Sequence, residues 1–171
     1  MSIKKLSFAL LLITSTTFAQ TPKVLKQHGI KKLSALIGKW KSETLVNGKS
    51  QGVAAISTCR WSVNRNYLIA DQMIVANKAN NLSIYSYVPD KDAYKFSLVG
   101  VPGMPPFAID IVYKGDELIY ISSYNDNGKK VYSRTLNDFV SPTYYTFKVQ
   151  SSTDSLNWTT SMEGRSIKIS K

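Results

Sequence analysis

Residues 36–41 read Leu-Ile-Gly-Lys-Trp-Lys, and the hydrophobic pattern of the chain changes at this point. Before it, apolar residues such as Leu33 and Leu36 recur at helical spacing, whereas after it apolar and polar residues alternate as they do in β-strands. Gly38 is the kind of residue that ends a helical turn, and Trp40 is the first large apolar residue beyond it. The stretch therefore predicts a short helical turn with an apolar face, followed by a strand that begins with an indole.

Strand-length segments separated by turn sequences fill the remainder of the chain. Asn47-Gly48 and Asn127-Gly128 are two-residue hairpin signals, and Pro89-Asp90 suits a tight turn. The segments that we predict as strands are Trp40–Val46, Gln51–Trp61, Tyr67–Ala76, Ser83–Val88, Ala93–Val101, Phe107–Lys114, Glu117–Tyr124, Lys130–Phe139, Thr143–Ser151 and Leu156–Arg165. Residues 166–170 form either an additional strand or the end of the last one, bent at Gly164.

About ten strands with little room for helix between them predict an all-β fold. Because the connections are short, strands that are neighbours in sequence must pair antiparallel. An open meander of this length exposes two long edges, and closure into an up-and-down barrel removes them. The main alternative is a sandwich of two sheets.

The Gly38-x-Trp40 pair at the start of the first strand, after a short helical turn, resembles the signature of lipocalins and other calycins. The resemblance implies that Gly38 lets the chain turn and that Trp40 plugs the narrow end of the barrel. It also implies that an arginine near the end of the barrel, here Arg165, covers the indole through a cation–π contact. Fatty-acid-binding proteins share a similar opening but insert a helical hairpin after the first strand, which this sequence lacks.

Further segments carry a resemblance over most of the chain. The stretches WSVNRNYLIADQM (61–73), YSYVPDKDAYKF (85–96), NGKKVYSRTLNDF (127–139) and STDSLNWTTSMEGRSIKIS (152–170) are similar to a secreted bacterial family of calycin-like barrels, known as a domain of unknown function. The resemblance implies a lipocalin-like barrel and brings no catalytic residues with it.

The first nineteen residues have the layout of a secretory signal. Lys4 and Lys5 give a positive start, an apolar run follows over residues 6–13, and small residues lead to Ala19, after which we expect cleavage. The apolar run is much shorter than the ~20 residues of a membrane-spanning helix. The sequence therefore predicts a signal peptide over 1–19 and one β-barrel domain over 20–171, exported to the periplasm or the extracellular space, with no membrane span.

Positive charge is concentrated near the beginning of the predicted domain. The chain carries a formal net charge of +11, and six lysines occur between the predicted cleavage site and the first acid, Glu43. A basic lead-in of this kind either contacts anionic surfaces weakly or simply aids solubility. Nucleic acid is not an expected partner, because the exported chain contains no recognisable nucleic-acid-binding module.

The residues that most enzymes and metal sites depend on are scarce. His28 is the only histidine and Cys59 the only cysteine, which argues against a Cys/His zinc site and against a histidine-based nucleophilic triad. No glycine-rich phosphate loop is present, and we expect no cofactor. Cys59 lies in an apolar stretch and is expected to be a buried small residue rather than a reactive thiol.

Aromatic residues fall at strand positions of one parity, which predicts an interior of apolar walls with hydroxyl tips. The candidate ligand-binding residues of that interior are Tyr85, Tyr87, Phe96, Tyr120, Arg134, Asp71 and Asp110. The aromatic rings fit a small hydrophobic or amphipathic molecule, and the charged members would need a partner such as an Asp71–Arg60 or Asp110–Arg134 ion pair. In the alternative interpretation the charged residues face solvent and the rings fill the barrel.

Three functions are compatible with these features. The first is an exported lipocalin-like protein that binds a small hydrophobic or amphipathic ligand inside its barrel. The second is a small-barrel enzyme that uses an inward carboxylate, Asp71, Asp110 or Glu163, as a general base. The third is a surface interaction protein that uses the loop over residues 101–107, which carries Met104 and Phe107. The Gly38-x-Trp40 opening, the number of strands and the shared parity of the aromatic residues favour the first.

Overall fold

The computed structural model describes residues 28–99 and 107–170. The predicted signal peptide lies outside the described residues, and so does most of the 101–107 loop, including Met104. Phe107 is described, as the first residue of a strand.

Ten strands account for nearly all of the described chain. They are β1 (Gly38–Val46), β2 (Lys49–Trp61), β3 (Tyr67–Ile74), β4 (Ala79–Val88), β5 (Ala93–Val99), β6 (Phe107–Lys114), β7 (Glu117–Asp126), β8 (Lys129–Ser141), β9 (Tyr144–Ser152) and β10 (Thr159–Ser170). A 3₁₀ helix spans Gly29–Leu36 and a single 3₁₀ turn spans Pro89–Lys91. The predicted helical turn is therefore present, and the segment around Gly164 is one continuous strand.

The strands form a closed antiparallel barrel in which each strand pairs with its neighbours in sequence and β10 pairs with β1. The all-β up-and-down barrel is confirmed and the two-sheet sandwich is wrong. Both Asn-Gly hairpins have left-handed backbone at both turn residues, with φ of 51° and 75° at Asn47 and Gly48 and of 47° and 80° at Asn127 and Gly128. These values belong to the turn that matches the twist of two-residue hairpins.

Successive connections alternate between the two ends of the barrel. The end at which β1 begins, which we call the closed end, carries the 3₁₀ helix and the connections over 62–66, 89–92, 115–116 and 142–143. The other end, which we call the open end, carries the connections over 47–48, 75–78, 127–128 and 153–158. The 3₁₀ helix packs against β3 and β4.

Trp40 lies at the closed end beneath the 3₁₀ helix and is only 1% exposed. Its indole Nε1 donates a hydrogen bond of 2.8 Å to the carbonyl oxygen of Leu36. The rings of Phe139 and Tyr145 pack against the indole with centroid distances of 6.3 and 5.0 Å. Leu33 is fully buried in the same cluster. The indole therefore joins the helical turn to the barrel by both packing and a hydrogen bond.

The predicted contact between Arg165 and the indole is wrong. Arg165 donates two hydrogen bonds, of 2.9 and 2.8 Å, to Glu43 Oε2, and the cation over the indole is Lys168, whose Nζ lies 4.7 Å from the ring centroid. Side chains alternate between the two faces of a strand, so residues three apart lie on opposite faces. Lys168 shares the Trp40 face, and Arg165 lies on the other.

Gly38 is required where the chain leaves the 3₁₀ helix. Its φ is +120°, a backbone conformation that other residues rarely adopt. A Cβ at this position would also lie 2.7 Å from the carbonyl oxygen of Ser170 at the end of β10. The glycine thus lets the first and last strands pair directly below the helix.

Candidate functional site: the cavity inside the barrel

The barrel encloses a cavity of about 510 Å³ above Trp40. This volume lies within the range of ~300–1,000 Å³ that is typical of small-molecule sites. The described residues that line it are Leu36, Trp40, Ser42, Thr44, Ala54, Ala55, Ser57, Cys59, Ala70, Gln72, Ile74, Ser83, Tyr85, Phe96, Ile109, Tyr120, Thr135, Asn137, Tyr145, Phe147, Val149, Met162 and Ser166.

The cavity exists because its two sides differ in side-chain size. One side, which we call the small-residue wall, is formed mainly by β1, β2, β3 and β10; its small side chains are Ser42, Ala55, Ser57, Cys59, Ala70 and Ser166. The facing side, which we call the aromatic wall, carries Tyr85, Phe96, Tyr120 and Phe147 from β4, β5, β7 and β9. Rings on one wall do not reach across to small residues on the other, so space remains between them.

Gly164 of β10 makes room for the Phe147 ring. A Cβ on Gly164 would lie 2.1 Å from Phe147 Cζ and 2.3 Å from the backbone oxygen of Glu43. The residue is paired directly with Phe147 in the register of β9 and β10. The glycine therefore lets an aromatic ring lie across the backbone, which is a recognised device of curved barrels.

The rings of the aromatic wall form one connected cluster. Tyr85 and Tyr120 share a hydroxyl–hydroxyl hydrogen bond of 3.1 Å, and the Phe96 ring lies 5.1 Å from Tyr85 and 5.3 Å from Tyr120, centroid to centroid. Burial raises the pKa of both tyrosines well above the usual value of 10.0. Both hydroxyls are therefore neutral at physiological pH, and together they offer one donor and several acceptor positions.

Polar groups on the opposite side of the cavity are also uncharged. The hydroxyls of Ser42 and Ser166 lie 2.6 Å apart. Burial raises the pKa of the Tyr145 hydroxyl, although these two serine hydroxyls act to lower it. Asn137 donates from Nδ2 to the carbonyl oxygen of Leu118 at 2.9 Å. Among the described residues, no buried side-chain nitrogen or oxygen is left without a hydrogen-bond partner. The barrel is thus internally satisfied, and its hydroxyl oxygens can still accept further bonds from a ligand.

No lining residue in the described part of the chain carries a charge at neutral pH. The set contains no Asp, Glu, Lys, Arg or His. Its thiol, Cys59, is buried, and burial raises its pKa to about 12, so it remains protonated. An ionic ligand would have to lose its hydration beside a described lining that holds no charged side chain, at a cost of several kcal/mol. The ammonium of Lys168, 4.7 Å from the Trp40 ring centroid at the closed end, lies outside that lining. The cavity therefore favours an uncharged molecule with a few hydrogen-bonding groups.

Three of the predicted ligand-binding residues, Tyr85, Phe96 and Tyr120, line the cavity. Tyr87 is not among the lining residues: it lies nearer the closed end, where its hydroxyl donates to Asp92 Oδ1 at 2.8 Å and its ring packs 5.0 Å from Tyr94. Tyr94 in turn donates to the carbonyl oxygen of Gly29 at 3.0 Å. Tyr87 and its neighbours therefore help to fill the barrel beneath the 3₁₀ helix.

The expectation that Asp71 and Asp110 face the interior is wrong. Asp71 is exposed and pairs with Arg60 at 2.6 Å, and Asp110 is exposed and pairs with Lys95. The Asp71–Arg60 pair was anticipated as an interior pair, but it lies on the outer face. Asp110 has Lys95 as its partner because the two residues face each other in the β5–β6 register.

Arg134 also faces outward, contrary to expectation. Its Nε donates to Gln150 Oε1 at 2.7 Å, and its guanidinium carbon lies 4.0 Å from the centroid of the Trp158 ring. Thr135, the next residue of β8, lines the cavity instead. Strand alternation thus places the charged residue outside and its small neighbour inside.

The three carboxylates considered as general bases all lie on the outer surface. The third of them, Glu163, is exposed and faces Lys148 at 3.6 Å. Within residues 28–99 and 107–170, no group of three or more His, Cys, Asp or Glu side chains comes together as a metal site would require. The interior therefore presents no described acid to act as a base, and the hypothesis that rested on one loses its support.

The small lining residues were not predicted from the sequence. Ala55, Ser57 and Cys59 recur at alternate positions of β2, and Ala70 faces Cys59 on β3. This period-2 run of small side chains was a usable signal, because interior positions of a filled barrel carry bulky residues. It is the feature of the sequence that points most directly to an empty interior.

Comparison of the chain with models of known protein families and with curated protein sequences gave no match. Among the described residues, no helix has both the length and the hydropathy needed to cross a bilayer.

Proposed function

We propose that this chain is an exported, lipocalin-like binding protein that holds an uncharged amphipathic small molecule inside its barrel. The observation that carries the proposal is the cavity of about 510 Å³, whose described lining joins aromatic rings to neutral hydroxyls and contains no charged side chain. A hydrophobic molecule with one or two hydroxyl or carbonyl groups satisfies both kinds of lining.

The position of the cavity also supports this function. The 3₁₀ helix and Trp40 close one end of the barrel, whereas Met162 lines the cavity and is 47% exposed near the other end. A ligand would therefore enter from the open end and rest with its deepest atoms on the indole. The closed barrel and the Gly38-x-Trp40 opening support membership of the calycin-like family, and the N-terminal sequence supports export.

A pair of fluorescent probes tests the proposed ligand class. N-phenyl-1-naphthylamine is uncharged at neutral pH, and 8-anilino-1-naphthalenesulfonate has the same rings with an added sulfonate. We expect the neutral probe to bind at least about tenfold more tightly, since the described lining offers the sulfonate no counter-charge. Equal affinity, or preference for the sulfonate, would contradict the proposed class. Native mass spectrometry of protein purified from its own host would then identify the bound molecule.

A substitution at an inward-facing serine of β4 tests whether the probe binds in the cavity. Ser83 faces the cavity and is buried, so Ser83→Phe fills part of the space. Ser86 lies on the outer face of the same strand, and Ser86→Phe serves as the matched control. We expect the first variant to abolish binding of the neutral probe and the second to leave it unchanged, with both proteins retaining the β-sheet circular dichroism spectrum. Binding that survives Ser83→Phe would place the probe elsewhere.

A further inference from the structure

Two tyrosine hydroxyls meet where the packed closed end of the barrel gives way to the cavity. Tyr85 of β4 is paired with fully buried Leu68 on β3. On β7, Tyr120 is the next inward residue after Leu118, which is also buried. The strands β4 and β7 are separated by β5 and β6, yet the two hydroxyl oxygens lie 3.1 Å apart. The rings therefore converge around Phe96 and place their polar tips in an apolar part of the interior.

This hydroxyl pair holds more hydrogen atoms than its own bond uses. Because burial raises the pKa of both phenols, each oxygen keeps its hydrogen at neutral pH. One of the two hydrogens forms the bond between Tyr85 and Tyr120, and within the described part of the chain neither hydroxyl makes another hydrogen bond. Both residues line the cavity. The second hydrogen is therefore left to be donated to a group inside the cavity.

The phenols differ in this respect from the serine and threonine hydroxyls of the cavity, such as Ser57, Ser83 and Thr135. A serine or threonine hydroxyl lies next to the backbone and can bond to it locally. A tyrosine oxygen lies at the far end of a rigid ring and cannot reach its own strand. Within the pair, the hydroxyl that accepts the bond is also polarised by it, which strengthens it as a donor. The pair therefore offers a ligand a donor whose position is fixed.

We propose that the Tyr85–Tyr120 pair selects uncharged ligands that bring a carbonyl oxygen to the inner end of the cavity. The inference rests on the proposed binding function and specifies its ligand class. A carbonyl oxygen accepts a hydrogen bond and has no hydrogen of its own, so it satisfies the pair without needing a further acceptor. A ligand with only carbon at that point leaves the second phenol hydrogen without a partner, and a site built to hydrogen-bond its ligand discriminates against such analogues.

Two probes that differ only in this group test the proposal. One is 6-propionyl-2-(dimethylamino)naphthalene, a ketone, and the other is 6-propyl-2-(dimethylamino)naphthalene, in which a methylene group replaces the carbonyl. Both probes are uncharged at neutral pH. Their affinities for the wild type and for Tyr85→Phe/Tyr120→Phe are measured by isothermal titration calorimetry. The double variant removes both partners of the hydrogen bond and keeps the rings, so we expect it to retain the β-sheet circular dichroism spectrum.

The quantity to compare is the ratio of the ketone affinity to the methylene affinity, because its change between two proteins cancels the different hydration of the probes. We expect the double variant to lower this ratio about tenfold or more. Tyr87→Phe removes a hydroxyl that bonds to Asp92 outside the cavity lining, and this control should leave the ratio unchanged. A ratio that the double variant does not alter, or that Tyr87→Phe lowers equally, would overturn the proposal.

Carbon-13 NMR of the ketone probe, labelled at its carbonyl, gives a second measurement on the wild type alone. We expect the labelled carbon to lie downfield of its position in cyclohexane, with nuclear Overhauser effects from the propionyl methyl group to the Tyr85 and Tyr120 rings. A cyclohexane-like shift, or contacts to other rings only, would contradict the assigned anchor.

N-phenyl-1-naphthylamine, which has no carbonyl, separates the failure of this inference from the failure of the proposed function. If it and both naphthalene probes bind, and the affinity ratio is the same in wild type and double variant, the tyrosine anchor is wrong and the binding function stands. If none of the three binds to the wild type, the binding function is wrong and the anchor with it.

Discussion

The same ten strands form both ends of this barrel, but the interior is packed with side chains at the closed end and holds a cavity toward the open end. At the closed end the interior positions carry large side chains such as Trp40, Leu68, Leu118 and Phe139, all buried. Farther along the same strands the interior positions become Ser42, Ala55, Ala70 and Ser83, and the cavity begins. The number of strands therefore does not decide whether this barrel contains a cavity. At each height along the barrel axis, the size of the inward side chains decides whether the interior is filled or empty.

The difference has an energetic side. The closed end buries large apolar side chains under the 3₁₀ helix and supplies much of the packing that holds the barrel together. The cavity forgoes such contacts, which leaves room for a ligand at the expense of stability. Substitutions at the closed end should therefore change folding, and substitutions around the cavity should chiefly change binding.

Trp40→Ala is expected to have the largest effect on stability. It removes a fully buried ring and its hydrogen bond to Leu36, and we expect a loss of ~3–5 kcal/mol in the free energy of unfolding. Met162→Ala, at the open end, should cost only ~0.5 kcal/mol because the side chain is half exposed. Urea denaturation followed by circular dichroism measures both. Similar losses from the two substitutions would end the distinction between a packed end and an open one.

Gly164→Ala should have an intermediate effect, at a position where the cavity side does contain a tight contact. The new methyl group meets the Phe147 ring and the backbone of Glu43, and we expect a loss of ~1–3 kcal/mol from overpacking. The backbone oxygen of Glu43 cannot be removed by substitution, but the Phe147 side chain can be replaced by a smaller one. Gly164→Ala/Phe147→Leu should therefore recover part of the loss in a denaturation series. A double variant no more stable than Gly164→Ala would show that the backbone contact dominates.

Glu43 connects the first and last strands on the outer face of the barrel. Its carboxylate is 2.8 Å from Lys41 Nζ and accepts hydrogen bonds from Arg165 and Ser50. The Lys41 ammonium first, and then the Arg165 guanidinium and the Ser50 hydroxyl, lower the pKa of this carboxyl from 4.5 to about 2. Because the folded-state pKa is depressed, the stabilisation is complete above the unfolded value and is lost as the pH falls toward 2.

Glu43→Gln is therefore expected to destabilise the protein at neutral pH, with a deficit that shrinks as the pH is lowered from 4.5 to about 2. Urea denaturation at a series of pH values measures the difference between variant and wild type. Glu163→Gln, which removes an exposed partner of Lys148, is the matched control and should differ little from wild type at any pH. If the loss of stability in Glu43→Gln stayed constant across this pH range, the charge interactions of Glu43 with Lys41 and Arg165 would not be what stabilises the contact between β1 and β10.

The features of the fold that depend on residues close together in the sequence could be predicted, and those that depend on pairing between strands were predicted less well. Turn chemistry is local, so Asn47-Gly48 and Asn127-Gly128 located two hairpins correctly, and strand count and closure followed. β4 begins at Ala79 rather than at the predicted Ser83, because the turn occupies 75–78 and the asparagines after it pair with β3. Asparagine is a turn former in isolation, and pairing with a neighbouring strand overrides that preference.

The candidate site was harder to predict because a strand alone does not reveal which of its faces is inside. Asp71, Asp110 and Arg134 alternate with Ala70, Ile109 and Thr135, and only the second set lines the cavity. Both faces of these strands mix polar and apolar residues. The alternation therefore divides each strand into two sets of residues but does not show which set faces the interior. Trp40 and the register between strands settle the choice, and register is a property of the closed barrel.

The smallest expected effect concerns the cation at the closed end and separates Lys168 from Arg165. Lys168→Met keeps most of the aliphatic stem but removes the charge above the Trp40 ring, so we expect a loss of ~0.5–1 kcal/mol and a shift in the indole emission. Arg165→Met acts on the other face, through Glu43, and should leave that emission unchanged while weakening the stability at neutral pH. Because Trp61 and Trp158 also emit, the spectra are compared in a Trp61→Phe/Trp158→Phe background. If Arg165→Met and not Lys168→Met moved the emission, the face assigned to β10 residues at the closed end would be wrong, and the small-residue wall built on the same alternation would have to be redrawn.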